Sequence, residues 1–159
     1  MARRFVLGVA LFFMAQISGA SIVVWLDNNP AGLLPGFFIE KIQHSIRVLT
    51  VPLPALAAVG LLFTLAATIQ ARRERLRFYL LIAASACVIA GAVSTGLGSV
   101  PINEQILTWS SASPPSNWAE VIEKWRLFHL VRTVLTMTGL CFLILAVLER
   151  SDAAAQLAG

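Results

Sequence analysis

Charge is scarce in this chain. Asp, Glu, Lys and Arg make up 13 % of its 159 residues against 58 % hydrophobic ones, and the mean hydropathy is +0.81. A soluble domain carries about 25 % charged residues, so the shortage excludes one and implies an integral membrane protein. Cysteine is sparse too. Cys87 and Cys141 each lie within an apolar run, with no CxxC spacing and no neighbouring histidine, which argues against a disulfide framework or a thiolate metal centre and for two small buried hydrophobes. The chain also lacks a phosphate-binding glycine loop, a Ser-His-Asp order, a CxxCH haem attachment and paired carboxylates inside an apolar segment. These absences speak against nucleotide hydrolysis, a serine hydrolase, a c-type cytochrome and a proton-driven carrier. The formal charge of +4 sits at segment ends. No basic run carries interleaved aromatics, so no nucleic acid partner is expected.

What the chain does contain is four apolar runs, at about 5–26, 48–69, 78–97 and 127–148, each close to the roughly 20 residues a helix needs to cross a bilayer. They predict an all-α fold: a four-helix transmembrane bundle forming a single membrane domain over 1–159, with a long extracytoplasmic loop between helices 3 and 4. The first run has small residues at Ser18-Gly-Ala20, as a signal peptide would, but stays apolar through Leu26 and reads as a retained span. Phe37 to Arg47 is amphipathic and should follow the membrane interface. Pro52 and Pro54 predict a kink in the first turns of the second span, and the small residues Cys87, Gly91, Thr95 and Gly98 a close-packing stripe in the third. Ser116 or Asn117 can cap a short helix joining the last span, and the alanine-rich tail after Arg150 should fray. Arg3, Arg4, Arg72, Arg73, Arg75, Arg77 and Arg150 fall on one side of the membrane and Lys41, Arg47, Lys124 and Arg126 on the other. The positive-inside rule then puts both termini in the cytoplasm, in a bacterial inner membrane.

The polar chemistry gathers at the opposite, outer side. On a helix at about 100° per residue, Trp125, His129, Arg132 and Thr136 share one narrow face. An arginine near the bilayer centre costs about 2.5–3.5 kcal/mol even on the lenient insertion scale, so that face reads as a functional site; the competing reading is an interfacial anchor that snorkels. His44, Asn103 and Glu104 belong to the same mouth. Two chemistries fit them. His44 and His129 could ligate haem, copper or iron, with Glu104 as a third ligand or as a hydrogen-bond partner behind the ligands, although no HxxxH or ExxH pair stands on one helix. Alternatively His129 or His44 acts as a base while Arg132 and Asn103 stabilise an oxyanion. Trp125, Trp118 and Trp109 would then wall an aromatic guest; the bland alternative for each is a place in the interfacial aromatic belt.

Val100-Pro-Ile-Asn-Glu-Gln105, then Pro114-Pro-Ser-Asn-Trp118, then Trp125-xxx-His129-xx-Arg132-Thr-Val resemble the anthrone oxygenase-like family of small four-helix membrane proteins. The resemblance implies oxidation of an anthrone to an anthraquinone by molecular oxygen, with the family's Asn, Trp, His and Arg falling on Asn103, Trp125, His129 and Arg132; His44 is added from topology alone. On this reading His129 is the base and no cofactor is required. The expected partners are a lipophilic small-molecule substrate and membrane lipid, with a homo-oligomer or a larger membrane complex possible. A non-catalytic accessory subunit of such a complex is the remaining alternative.

Overall fold

A computed structural model of the chain describes residues 2–149; Arg150 and the alanine-rich tail lie outside the described residues. The elements are helices α1 (Ala2–Asp27), α2 (Pro35–Leu49), α3 (Pro52–Gln70) and α4 (Arg75–Ser94), a π-helical turn (Thr95–Ser99), and helices α5 (Val100–Leu107) and α6 (Trp118–Leu148). Four helices are long and apolar enough to cross a membrane: α1, α3, the continuous Arg75–Leu107 rod, and α6. The protein is a four-helix membrane bundle. α1 packs on α3, α3 on α4, α4 most extensively on α6, and α6 closes the ring against α1.

The burial pattern explains the assembly. α1 buries Leu7, Ala10, Met14, Ile17, Ser18 and Ser21, and α6 buries a row from Val121 to Ala146, both at helical spacing. Large side chains such as Phe12, Leu62, Ile82 and Leu145 point outward, as lipid contact requires. Inside, small residues set the distance between helices. A Cβ on Gly139 would lie 3.2 Å from the Ala84 carbonyl oxygen, and one on Gly60 3.3 Å from Met14 Sδ. In lipid such close approach takes the place of hydrophobic driving force. The buried hydroxyls of Thr64, Thr68, Ser85 and Thr133 bond to the carbonyl four residues earlier, so they cost the interior little.

The two ends are tied differently. At one, Glu74 pairs with Arg3 and Arg77, and Arg77 donates Nε–H to Ala146 O at 2.8 Å and a further N–H to Glu149 O. A guanidinium thereby satisfies the last carbonyls of α6. At the other end α2 packs against α5 and α3, burying Phe38, Ile42 and Ile46 with Ile106, Ile122 and Trp125. Lys41 pairs with Asp27, and Gln43 Nε2 caps the α5 C-terminus through Ile106 O and Trp109 O at 2.8 and 2.9 Å.

Several boundaries differ from expectation. The second span does not carry on from the amphipathic segment: α2 ends at Leu49, and Pro52 opens α3. Proline is accommodated at a helix's first turn, where its missing N–H has no partner to lose. The third span runs on to Leu107 through the π turn, leaving only 108–117 as loop, and α6 is one helix from Trp118 rather than a short helix joined to a span. Asn117 occupies its N-cap without a side-chain bond. Cys141 is exposed rather than buried, and Cys87 half-buried.

Candidate functional site

Where α2 gives way to α3, the π turn and α6 enclose a cavity of about 90 Å³. Ser45, Ile46, Leu49 and Thr50 line it from α2 and the break, Leu53 and Pro54 from α3. Thr95, Ser99, Val100 and Asn103 come from the π turn and α5, and Trp125, His129 and Arg132 from α6, with Val24 of α1 behind them. Thr50, Pro54 and Val100 are exposed and form its mouth.

The π turn has a local cause. Pro101 carries no N–H, and in an α-helix its ring would crowd the carbonyl of Leu97. Opening the helix by one residue relieves this, and Val100 N–H bonds instead to Thr95 O, five residues back. Gly98 makes the wide turn possible against α6, since a Cβ there would stand 2.2 Å from Phe128 Cδ1. Turns of this kind inside α-helices often mark functional sites.

The α6 side chains form a connected set. Trp125 donates its indole N–H to Asn103 Oδ1 at 2.7 Å and stacks on His129, ring centroids 5.0 Å apart at 28°. Arg132 Nη2 lies 2.8 Å from His129 Nδ1, and His129 Nε2 lies 3.0 Å from Ser21 O. A guanidinium can only donate and a carbonyl can only accept. Nδ1 is therefore the acceptor, and Nε2 carries the hydrogen. Both ring nitrogens are engaged, so His129, 1 % exposed, has no lone pair ready for a substrate proton in this state. Arg132 is half-buried and in none of the salt bridges among the described residues, and its Nε is buried without a hydrogen-bond partner. The guanidinium thus turns toward His129 instead of reaching for an interface.

Asn103, Trp125, His129 and Arg132 come together as expected; three other candidates stand apart. His44 is exposed on the outer face of α2, and Glu104 is exposed on α5. Trp118 packs on Phe38, centroids 6.0 Å apart, in the apolar cluster under α2. None of the three lines the cavity, and neither does Trp109, which packs against the same cluster as Trp118. Among the described residues no three His, Cys, Asp or Glu side chains gather as a metal site. Sequence reasoning missed Ser99, Thr95, Thr50 and Ser45, and Ser21 behind His129. The legible signal was Pro101, which demanded relief in the preceding turn.

A family model described as anthrone oxygenase matches residues 43–142. The chain belongs to the anthrone oxygenase family. No curated protein and no solved structure matches it. The match to the anthrone oxygenase model covers every residue lining the cavity except Val24. Ser21, which holds His129, precedes it on α1.

Proposed function

We propose that this anthrone oxygenase family member is an oxidoreductase that uses molecular oxygen to oxidise a lipophilic aromatic ketone of the anthrone type. The observation that carries this reading is Arg132: a guanidinium facing an apolar cavity, with an unpartnered Nε and no carboxylate paired to it among the described residues. Such a group calls for a ligand that is, or becomes, anionic. An anthrone qualifies, because loss of a methylene proton turns its ketone into an aromatic phenolate.

Arg132 then has two partners in succession. At rest its Nη2–H occupies His129 Nδ1. When the substrate carbonyl oxygen takes that N–H, Nδ1 is released and accepts the methylene proton, while Nε2–H remains on Ser21 O and holds the ring in place. Asn103, fixed by Trp125, turns its amide N–H groups to the same oxygen. The carbanion adds to oxygen, forming one C–O bond; the resulting peroxide anion takes the proton back from Nδ1, and the hydroperoxide loses water to give the quinone. One anthrone and one O2 yield one anthraquinone and one water, so no external reductant is consumed. Typical small-molecule sites measure about 300–1,000 Å³. A three-ring substrate therefore docks its central ring, which carries both the carbonyl and the methylene, in the 90 Å³ cavity and extends its remainder through the mouth at Thr50, Pro54 and Val100. The positive-inside distribution supports an outward-facing site with cytoplasmic termini.

Purified protein in lipid nanodiscs, supplied with anthrone, should consume O2 and release anthraquinone faster than protein-free buffer. Arg132→Ala should lower kcat/KM by about 100-fold or more, the usual loss on removing an oxyanion donor. A wild-type rate equal to the protein-free autoxidation rate would refute the proposal.

A further inference from the structure

We infer that Ser99 is a specificity-determining residue that reads a ring hydroxyl of the aromatic ligand, separate from the oxygen held by Arg132. The inference rests on the aromatic-ketone reading of the cavity. Ser99 is 3 % exposed, lines the cavity, and its Oγ has no hydrogen-bond partner. That is unusual within this bundle. Thr64, Thr68, Ser85, Thr95 and Thr133 all return their hydroxyl hydrogens to the carbonyl four residues back, the ordinary way to satisfy a helical hydroxyl. For Ser99 that carbonyl is Thr95 O, which the π turn gives to Val100 N–H. In the turn that opens the helix for Pro101, Ser99 does not make this bond, and its hydroxyl stays unpaired in the cavity wall.

The neighbouring polar atoms define what the hydroxyl can recognise. Arg132 offers only donors. Asn103 Oδ1 is taken by Trp125, and Thr50 and Thr95 direct their hydroxyl hydrogens to Ile46 O and Gly91 O. Thr50, Thr95 and Ser45 keep acceptor lone pairs as well but are not fully buried, so Ser99 Oγ is the lining hydroxyl that loses most by staying unpaired, able to accept a ligand O–H and to donate its own hydrogen. Ser21 Oγ is also buried without a partner, but it does not line the cavity. A ligand with a single oxygen would satisfy Arg132 and leave Ser99 unpaired. A phenolic ketone satisfies both.

The test is equilibrium dialysis of anthraquinone, 1-hydroxyanthraquinone and 2-hydroxyanthraquinone against the protein in nanodiscs, for wild type, Ser99→Ala, Ser99→Thr and Arg132→Ala. Wild type should bind one hydroxy derivative about 10-fold more tightly than the parent quinone, in line with pairing a buried hydroxyl. Ser99→Ala should abolish that preference and keep the parent's affinity; Ser99→Thr, which retains the hydroxyl, should keep part of it. Equal wild-type affinities, or a preference that survives in Ser99→Ala, would overturn the inference. The aromatic-ketone reading is judged on the parent quinone: weaker binding by Arg132→Ala sustains it. Absence of binding by any of the three quinones would sink both.

Discussion

Replacing Gly98 by alanine strikes the point where the π turn meets α6. The added Cβ would stand 2.2, 2.4 and 2.5 Å from three atoms of the Phe128 ring, whereas ordinary carbon–carbon contact begins near 3.5 Å. The ring, or the helix carrying it, must retreat by about 1.3 Å at the closest atom. Overpacking of this kind costs about 1–3 kcal/mol, and the better helix propensity of alanine returns about 0.5–1, so a net loss of about 1–2 kcal/mol is expected. Gly96 is the internal control. It sits two residues earlier in the same turn with nothing within 4 Å of its would-be Cβ, and Gly96→Ala should be neutral or slightly stabilising. Thermal unfolding in detergent, followed by circular dichroism, compares the two variants directly. Trimming the ring in Gly98→Ala/Phe128→Leu should recover more than half of the loss. If Gly98→Ala and Gly96→Ala melt together, the close fit of the π turn on α6 is not a determinant of stability and this reasoning is wrong.

Other expectations follow from the same contacts. Trp125→Phe leaves Asn103 Oδ1 without its indole donor and should cost about 1 kcal/mol; with Asn103→Ala the two losses should be less than additive, and full additivity in the melting data would deny the bond any energetic role. Glu74 has its carboxyl held below the ordinary value of 4.5 by the Arg3 hydrogen bond, with the charge of Arg77 adding and burial opposing. Its stabilisation is therefore complete above that ordinary value and disappears as pH falls through the lowered one. Unfolding temperature should drop more steeply on acidification in wild type than in Glu74→Gln, and parallel pH profiles would contradict this. A Cβ on Gly36 would lie 2.4 Å from the Ser111 carbonyl oxygen, so Gly36→Ala should loosen the 108–117 loop and speed its amide hydrogen exchange; unchanged protection there would count against that docking.

Much of this architecture could be read from the chain because lipid imposes a simple code. Four apolar runs of spanning length leave little choice of fold, and the 125, 129, 132, 136 spacing correctly grouped the α6 residues that face inward. Proline was harder to read. Because apolarity runs through Pro52 and Pro54, the pattern reads as one kinked span; only tertiary structure shows the chain turning at 50–51 and starting afresh. Pro101 had the opposite effect, widening the helix it was expected to follow. Topology puts His44 at the depth of the site, but it sorts residues by depth and says nothing of direction. The buried row Phe38, Ile42 and Ile46 on α2 turns position 44 to the far side, a periodicity argument available from the beginning. The roles of the His129 nitrogens were not legible at all, since they depend on Ser21, 108 residues earlier in the chain.

The Arg75–Leu107 rod behaves like a screw with one extra notch. Each residue advances an α-helix by about 100°, and the i→i+5 turn takes one more residue to come round, so winding 95–99 as plain α-helix with no residue removed would swing everything beyond it by up to roughly that angle. Asn103 would then turn away from Trp125, and the C-terminus of α5 would turn away from Gln43. Two halves of one helix face different tasks here, the first matched to α6 along the bundle and the second to α2 at its end. The extra residue is what allows a single continuous rod to keep both registers.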